Sequence, residues 1–309
     1  MVQFFPNNQI PGTIISAAMA LLLFSCSGEP EATFVDFSDR IIVARPGVGS
    51  QQSAHFKVAV GSIISAQETV VYYHELLEYI AEKLGRKIQL IQRKTYAEIN
   101  QLISGGQIDL AFICSGPYAS GREKFGFEAL AMPRVRGSHL YQSYLIVNKD
   151  GPIQTLADLR GGTFAFTDTE SNTGKLVPTY WLGLEGEKPE DFFGKTIYTH
   201  SHDNSIKAVA MSLVDGAAVN GQVWEYYHDR NPIFTAKTRV IRKSEPFGNP
   251  PVVASSRLPS QMKERMRDLL FNMHQDPQGK KILNKLMIDR FIAPIEESYD
   301  PILAMNKNM

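Results

Sequence analysis

From residue 56 onward the chain alternates short apolar runs with amphipathic helical stretches, and few architectures accept that alternation. Residues 56–60, FKVAV, read as a strand that ends in Gly61 and Ser62. The period then becomes helical. Tyr73, Leu76, Leu77, Ile80, Ala81 and Leu84 recur at three and four places, and Gly85 follows as a stop. Strands at 88–92 and 108–113 flank a helix at 96–104 that Gly105 and Gly106 close. The second of these strands is a continuous apolar run, the kind buried in a parallel sheet. Strand, helix and strand at this spacing predict right-handed crossovers and a doubly wound sheet.

The pattern then repeats. A strand at 141–148 runs into KDGP at 149–152, where Gly151 and Pro152 mark a crossing out of the first unit. A helix at 156–159, a strand at 163–166, a helix from about 173 to 184, a strand at 196–199, a helix at 205–213 and a strand at 217–219 make a second α/β unit. Residues 238–242 read as the returning strand, and Asp276 with Pro277 opens a terminal helix as carboxylate N-cap and first-turn proline. The expected fold class is α/β with two lobes. Each lobe is a doubly wound, mostly parallel sheet, and a two-strand hinge joins them. Lobe 1 takes 55–146 and 240–295, lobe 2 takes 147–239, and 296–309 is a C-terminal tail.

The first 54 residues follow another logic. The apolar run at 14–24 is shorter than the roughly 20 residues of a membrane-spanning helix. It has the length of a signal-peptide core, and Leu23, Ser25 and Cys26 stand in the order of a bacterial lipobox. The expectation is a signal peptide at 1–25, lipid on Cys26, and a Gly-, Ser-, Pro- and Gln-rich tether at 26–54. Residues 1–11 contain no Lys or Arg, so only the terminal amine is positive there; the alternative is a buried N-terminal strand or helix. Lipidation would leave Cys114 without a disulfide partner, since the chain has two cysteines. The implied location is the periplasm or the outer face of a bacterial membrane.

Lys plus Arg and Asp plus Glu number 32 each, so the net charge is zero and the broad positive field that nucleic acid demands is absent. A small pocket needs no such field. In open α/β sheets ligands bind at the carboxyl ends of strands, beside helix N-termini. Four such loops are rich in neutral donors: Ser62, the stretch 114–118 (CSGPY), 167–174 (TDTESNTG) and 200–205 (HSHDNS). In the third, Ser171, Asn172 and Thr173 can donate while first-turn amides point the same way, which makes an anion cradle. The alternative for these residues is an N-cap that satisfies its own helix. His200 and His202 form an H-x-H pair that suggests zinc, yet no further ligands lie at useful spacing, so no metal or other cofactor is expected. No G-x-S-x-G elbow, Walker loop or dinucleotide turn is present, which disfavours the rival reading of a phosphate-ester hydrolase.

Several stretches together resemble the phosphate-, phosphite- and phosphonate-binding proteins of ABC importers. They are SAQET (65–69) leading into EKLG (82–85), Tyr96 before IDLAF (108–112), CSGPY (114–118), SNTG (171–174) followed by VPTY (177–180), HDNS (202–205) and DPQG (276–279). The resemblance spans nearly everything from Phe56 to Phe291. It implies a type II periplasmic-binding-protein fold that closes on a tetrahedral phosphorus oxyanion. It also implies ligand contacts from Ser171, Asn172, Thr173, His202 and Tyr96. Ser115, Tyr118 and Asn249 are further candidates: the first two sit in a strand-end loop, and Asn249 with Gln222 stands about where amino-type binders carry carboxylates. The absence of those carboxylates favours phosphate, phosphite or an alkylphosphonate over an aminophosphonate. His202 would donate when neutral, and more strongly when protonated beside the anion. Tyr72 and Tyr73, and the cluster from Trp224 to Tyr227, offer either packing or a pocket for a larger organic solute; packing is favoured for Tyr73 and the second cluster stays open. The implied partners are a small oxyanion, an importer permease and the membrane through the anchor, with the protein a monomer. Delivery to a sensor kinase or chemoreceptor is the alternative.

Overall fold

The structure is a computed structural model that describes residues 41–43 and 55–307. The proposed signal peptide, Cys26 and most of the proposed tether lie outside the described residues. Within that stretch Ile41–Val43 (β1) adds an antiparallel edge strand to the first sheet.

The first lobe begins as its periodicity dictates. Strand β2 (Phe56–Val60) leads to helix α1 (Ala66–Leu84), which buries Leu76, Leu77, Ile80 and Leu84 and stops where Gly85 takes φ 64°. Strand β3 (Ile88–Ile91) is followed by α2 (Tyr96–Ser104). Thr95 and Glu98 close a reciprocal capping box at the start of α2, satisfying two amides that a helix end leaves open. Then come β4 (Leu110–Phe112), α3 (Ser115–Phe125) and β5 (Glu128–Val135).

The chain leaves through β6 (Leu140–Tyr141) and enters the second lobe on β7 (Ser143–Asn148). Strand β8 (Thr163–Phe166) ends in the serine-rich turn. Beyond it Asn172–Leu176 forms one π-helical turn before α4 (Val177–Gly183), where a single helix was expected. Helix α5 (Pro189–Phe192), β9 (Lys195–Tyr198), α6 (His202–Ala210), β10 (Gly216–Asn220), α7 (Gly221–Arg230) and β11 (Thr238–Lys243) complete the lobe. The return runs through β12 (Phe247–Gly248) to β13 (Val252–Ala254), α8 (Ser260–Asn272), α9 (Pro277–Lys285), β14 (Ile288–Ile292) and α10 (Asp300–Lys307).

The seven-stranded sheet has the order β1-β3-β2-β4-β13-β5-β14, and the five-stranded sheet β11-β7-β10-β8-β9. Parallel pairing is confined to β2 with β3 and β4, and to β8 with β9 and β10; the remaining pairs are antiparallel. The sheets are therefore mixed where mostly parallel ones were expected. A strand that returns from the other lobe must run opposite to the strand that left, so β13 pairs antiparallel with β5, and β11 with β7. The crossing segments also pair: β12 lies antiparallel to β6, with Phe247 opposite Tyr141 and Gly248 opposite Leu140. That ribbon is the two-strand hinge.

Residues 296–307 are not a loose tail. Tyr299 and Ile302 are wholly buried and Met305 nearly so, in the same core cluster as Tyr118 and Ala119 of α3. The Tyr299 ring stands edge-on to Tyr118 at 4.8 Å, and its hydroxyl donates to the Asn249 carbonyl at 2.8 Å. The apolar spacing of Tyr299, Ile302 and Met305 is a helical face that needs a partner, and α3 supplies it.

Candidate functional site

The turn after β8 is built from its own polar groups. Asp168 Oδ1 accepts from the Glu170 amide at 2.8 Å, and Ser171 Oγ accepts from the Gly174 amide at 3.0 Å. Ser171 thus caps the π turn, and the capping alternative describes its hydroxyl. Gly174 has no room for a Cβ, because Thr167 Oγ1 occupies that space. The residues between are buried and less satisfied. Asn172 Nδ2 donates to the Tyr141 hydroxyl at 3.1 Å while its Oδ1 has no partner, and Thr173 Oγ1 has none either.

His202, in the first turn of α6, is wholly buried. Its Nδ1 accepts from the backbone amide of Asn220 at 3.0 Å, so in the neutral ring the proton sits on Nε2. That N–H has no partner. Burial depresses the His202 pKa from 6.5 to about 3, against the opposing pull of Asp203. The imidazole is a neutral donor; protonating Nδ1 would break the Asn220 bond. Thr173 and His202 are both tied to the end of the sheet that carries Ser143 and Asn220. Asn220 pairs with Ser143 across β10 and β7, and Ser143 Oγ donates to the Thr173 carbonyl at 2.7 Å. Both unpartnered donors therefore stand at the same end of the second sheet.

The first lobe brings two phenols to this end. Tyr96 and Tyr141 are buried with their hydroxyls beside the Cys114 thiol, and burial pushes both phenols far up. Tyr96 OH makes only a long contact, 3.4 Å, to the Ser62 carbonyl. Cys114 is a free, buried thiol whose pKa burial raises, facing the amides of Gly116 and Asn172. Tyr141 escaped sequence reasoning because it reads as the start of a strand; its place on the crossing ribbon is set by pairing with Phe247, which chain position does not reveal.

Three candidates are engaged elsewhere. Ser115 Oγ donates to the Gly248 carbonyl at 2.7 Å, which ties α3 to the hinge. Tyr118 donates to the Glu296 carboxylate at 2.8 Å, on the face that α10 covers. Asn249 donates to the Pro133 carbonyl at 2.9 Å and accepts from Gln222 at 2.8 Å, so its amide braces the hinge. His200 lies outside α6 in a left-handed conformation, φ 61°, and the described residues contain no group of three metal-ligating side chains.

The lobes touch directly around the site. Asp168 Oδ2 accepts from the Tyr96 amide at 3.2 Å, Asp203 Oδ1 accepts from the Ser65 amide at 2.7 Å, and the His202 amide donates to the Ile63 carbonyl at 3.0 Å. Asp168 and Asp203 each meet the N-terminus of a helix in the opposite lobe, α2 and α1, where a carboxylate offsets the positive end of the dipole. Burial raises the Asp168 pKa. For Asp203 burial acts in the same direction, but the Lys207 ammonium at 2.9 Å and the Ser65 amide leave the carboxyl lowered on balance. The backbones also approach at Gly116, where a Cβ would overlap the Glu170 carbonyl oxygen and lie 2.9 Å from the Asn172 nitrogen. This is a shut arrangement.

Beside the donors lies a cavity of about 150 Å³. Tyr72, Tyr73, Tyr226 and Tyr227 line it, which answers the question left open for the second aromatic cluster; Tyr73 also packs as expected, against the first lobe's core with its ring edge-on to Phe112 at 5.4 Å. Trp224 instead stacks on His228 and donates to Thr238 at 2.9 Å.

Residues 58–299 match the family model described as ABC transporter, phosphonate, periplasmic substrate-binding protein. The phosphonates-binding periplasmic protein of Escherichia coli (strain K12) is 27% identical over 271 residues, 85% of this chain and 80% of that protein. The phosphate-import protein PhnD of Mycolicibacterium smegmatis is 25% identical, covering 82% and 79%. A crystal structure of a binding protein component of an ABC phosphonate transporter from Pseudomonas aeruginosa superposes with a TM-score of 0.76 at 26% identity, covering 81% of this chain and 85% of that one. The two-lobed fold is the type II periplasmic-binding-protein fold. A family match over most of the described chain, on a hinge ribbon joining two mixed sheets, leads to one conclusion: this chain belongs to the periplasmic substrate-binding proteins of ABC phosphonate transporters.

Proposed function

We propose that the chain captures a phosphorus oxyanion, namely phosphate, phosphite or an alkylphosphonate, by closing its lobes, and delivers it to an importer permease. The observation that carries this reading is the pair of buried, unpartnered donors at one end of the second sheet, Thr173 Oγ1 and His202 Nε2. Leaving a buried polar group unmet costs about 1–3 kcal/mol, so two together call for an acceptor. An oxyanion supplies several acceptor oxygens. Tyr96, Tyr141 and Asn172 surround the same space, and the names of two relatives, phosphonates-binding and phosphate-import, point to the same ligand class.

Closure follows from contacts that exist only when the lobes meet. The Asp168, Asp203 and Ile63 bonds each join one lobe to the other, so a ligand that touches both shifts the equilibrium towards the shut form. The reading includes binding without turnover, a monomer, and an anchor at Cys26 that holds the protein on the outer face of a membrane.

Calorimetry with phosphate, phosphite and methylphosphonate tests the proposal. Micromolar or tighter binding of at least one is expected, and no heat from any of the three overturns it. Phosphate released from a phosphate ester in a His202-dependent way would overturn the absence of turnover. Loss of metabolic lipid labelling in Cys26→Ser tests the anchor.

A further inference from the structure

The cavity beside the donors has walls from both lobes: Ile64, Tyr72, Tyr73 and Phe291 from the first, and Val223, Tyr226 and Tyr227 among those from the second. The rings of Tyr72 and Tyr226 meet edge-on across the gap at 5.2 Å. The cavity adjoins the donor cluster at two residues that hold His202, since the Ile63 carbonyl accepts from the His202 amide and the Asn220 amide donates to Nδ1. Among the described residues no Asp, Glu, Lys or Arg lines it. Glu68 reaches the Tyr72 hydroxyl but is not among the lining residues. Apart from the tyrosine hydroxyls, the polar side chains present are Asn220, engaged at Oδ1, and Gln222, engaged at Nε2. Asn220 Oδ1 caps α7 through the amides of Gln222 and Val223, and Gln222 donates to Asn249.

We propose, resting on the oxyanion reading above, that this cavity receives the organic substituent of the ligand, and that the preferred ligands are phosphonates bearing an apolar group about the size of a phenyl ring. In a phosphonate one corner of the tetrahedron is carbon. Three oxygens stay with the donors while the fourth corner points a substituent away from them. Phosphate would turn an oxygen towards walls that are mostly apolar, where the Tyr227 hydroxyl is a donor without a protein partner, and would leave the rest of the cavity unfilled. An aminoalkyl group would bring an ammonium into a space whose lining carries no charge, with the Glu68 carboxylate behind the Tyr72 and Tyr227 hydroxyls. An apolar cavity of about 150 Å³ accommodates benzene. Burying such a ring strengthens binding by about tenfold or more, after the loss from ordering the ligand.

The test is calorimetry on the purified protein with phosphate, methylphosphonate, phenylphosphonate and 2-aminoethylphosphonate. Phenylphosphonate is expected to bind at least about tenfold more tightly than methylphosphonate or 2-aminoethylphosphonate. Val223→Trp, which fills the cavity, is expected to erase that preference while leaving methylphosphonate within about twofold. Methylphosphonate, phosphate or 2-aminoethylphosphonate binding as tightly as the aryl ligand overturns the inference and leaves the oxyanion reading standing. So does an aryl preference that survives in Val223→Trp. Failure of all four ligands, and of phosphite, to bind overturns both.

Discussion

The backbone amide of Asn220 donates to Nδ1 of His202 at 3.0 Å. The bond sets the tautomer, because a nitrogen that accepts cannot carry the proton, and it leaves the hydrogen on Nε2, which has no protein partner. A strand-end amide thus decides what a side chain eighteen positions earlier can do.

Gly116→Ala is expected to weaken oxyanion binding by at least about tenfold, since the added methyl meets Glu170 and Asn172 only when the lobes are shut. The unliganded protein should keep its thermal stability, alanine being the better helix former. Calorimetry beside thermal unfolding checks this; unchanged affinity would show that the lobes need not approach so closely.

Thr173 and Ser171 separate by readout. Thr173→Val keeps the shape and removes a donor without a protein partner, so affinity should fall by the roughly 1.5–3 kcal/mol of a hydrogen bond to a charged group, with stability little changed. Ser171→Ala removes the cap on Gly174 and should lower stability by about 1 kcal/mol. Denaturant titration and ligand titration of both variants distinguish the roles; a reversed pattern would return Ser171 to the ligand.

His202 predicts a pH dependence. Its folded pKa, about 3, lies below the unfolded value of 6.5, so between these limits the unfolded chain holds a proton that the folded chain lacks. Stability is then fully present above pH 6.5 and falls as the pH drops towards 3, at up to about 1.4 kcal/mol per pH unit from this group. Denaturant unfolding at pH 7, 6 and 5 should give a shallower slope for His202→Asn than for the wild type. Equal slopes would mean that the ring is not buried neutral.

Tyr299 links the C-terminal helix to the hinge. Tyr299→Ala opens a void against Tyr118 and frees the Asn249 carbonyl, for an expected loss of about 3–5 kcal/mol by chemical denaturation. Tyr299→Phe should lose about 1–3 kcal/mol, the cost of leaving that buried carbonyl unpaired. A truncation after residue 295 that unfolds like the intact chain would contradict both.

Local patterning already carried much of this protein. The three- and four-residue recurrence along α1, its stop at Gly85, the alternation that makes two α/β units and the excursion from one lobe to the other are written in neighbouring residues, where periodicity and turn chemistry act. The turn at 171–174 was legible as a strand end feeding a helix start, a local event, whereas the helix expected from 205 begins at His202 and the ligand roles of these residues came only from the family resemblance.

What each polar side chain does was decided only by tertiary structure. Ser115 and Thr173 are both small hydroxyl residues at helix starts, yet one donates to the Gly248 carbonyl, 133 positions away, and the other finds no partner. Tyr118 turns to Glu296, 178 positions on, while Tyr141, unmarked in sequence, reaches the Asn172 amide. A hydroxyl bonds whatever acceptor stands within about 3 Å of it. The sheet order brings those acceptors together from distant parts of the chain, so chain position alone could not separate a brace from a ligand contact.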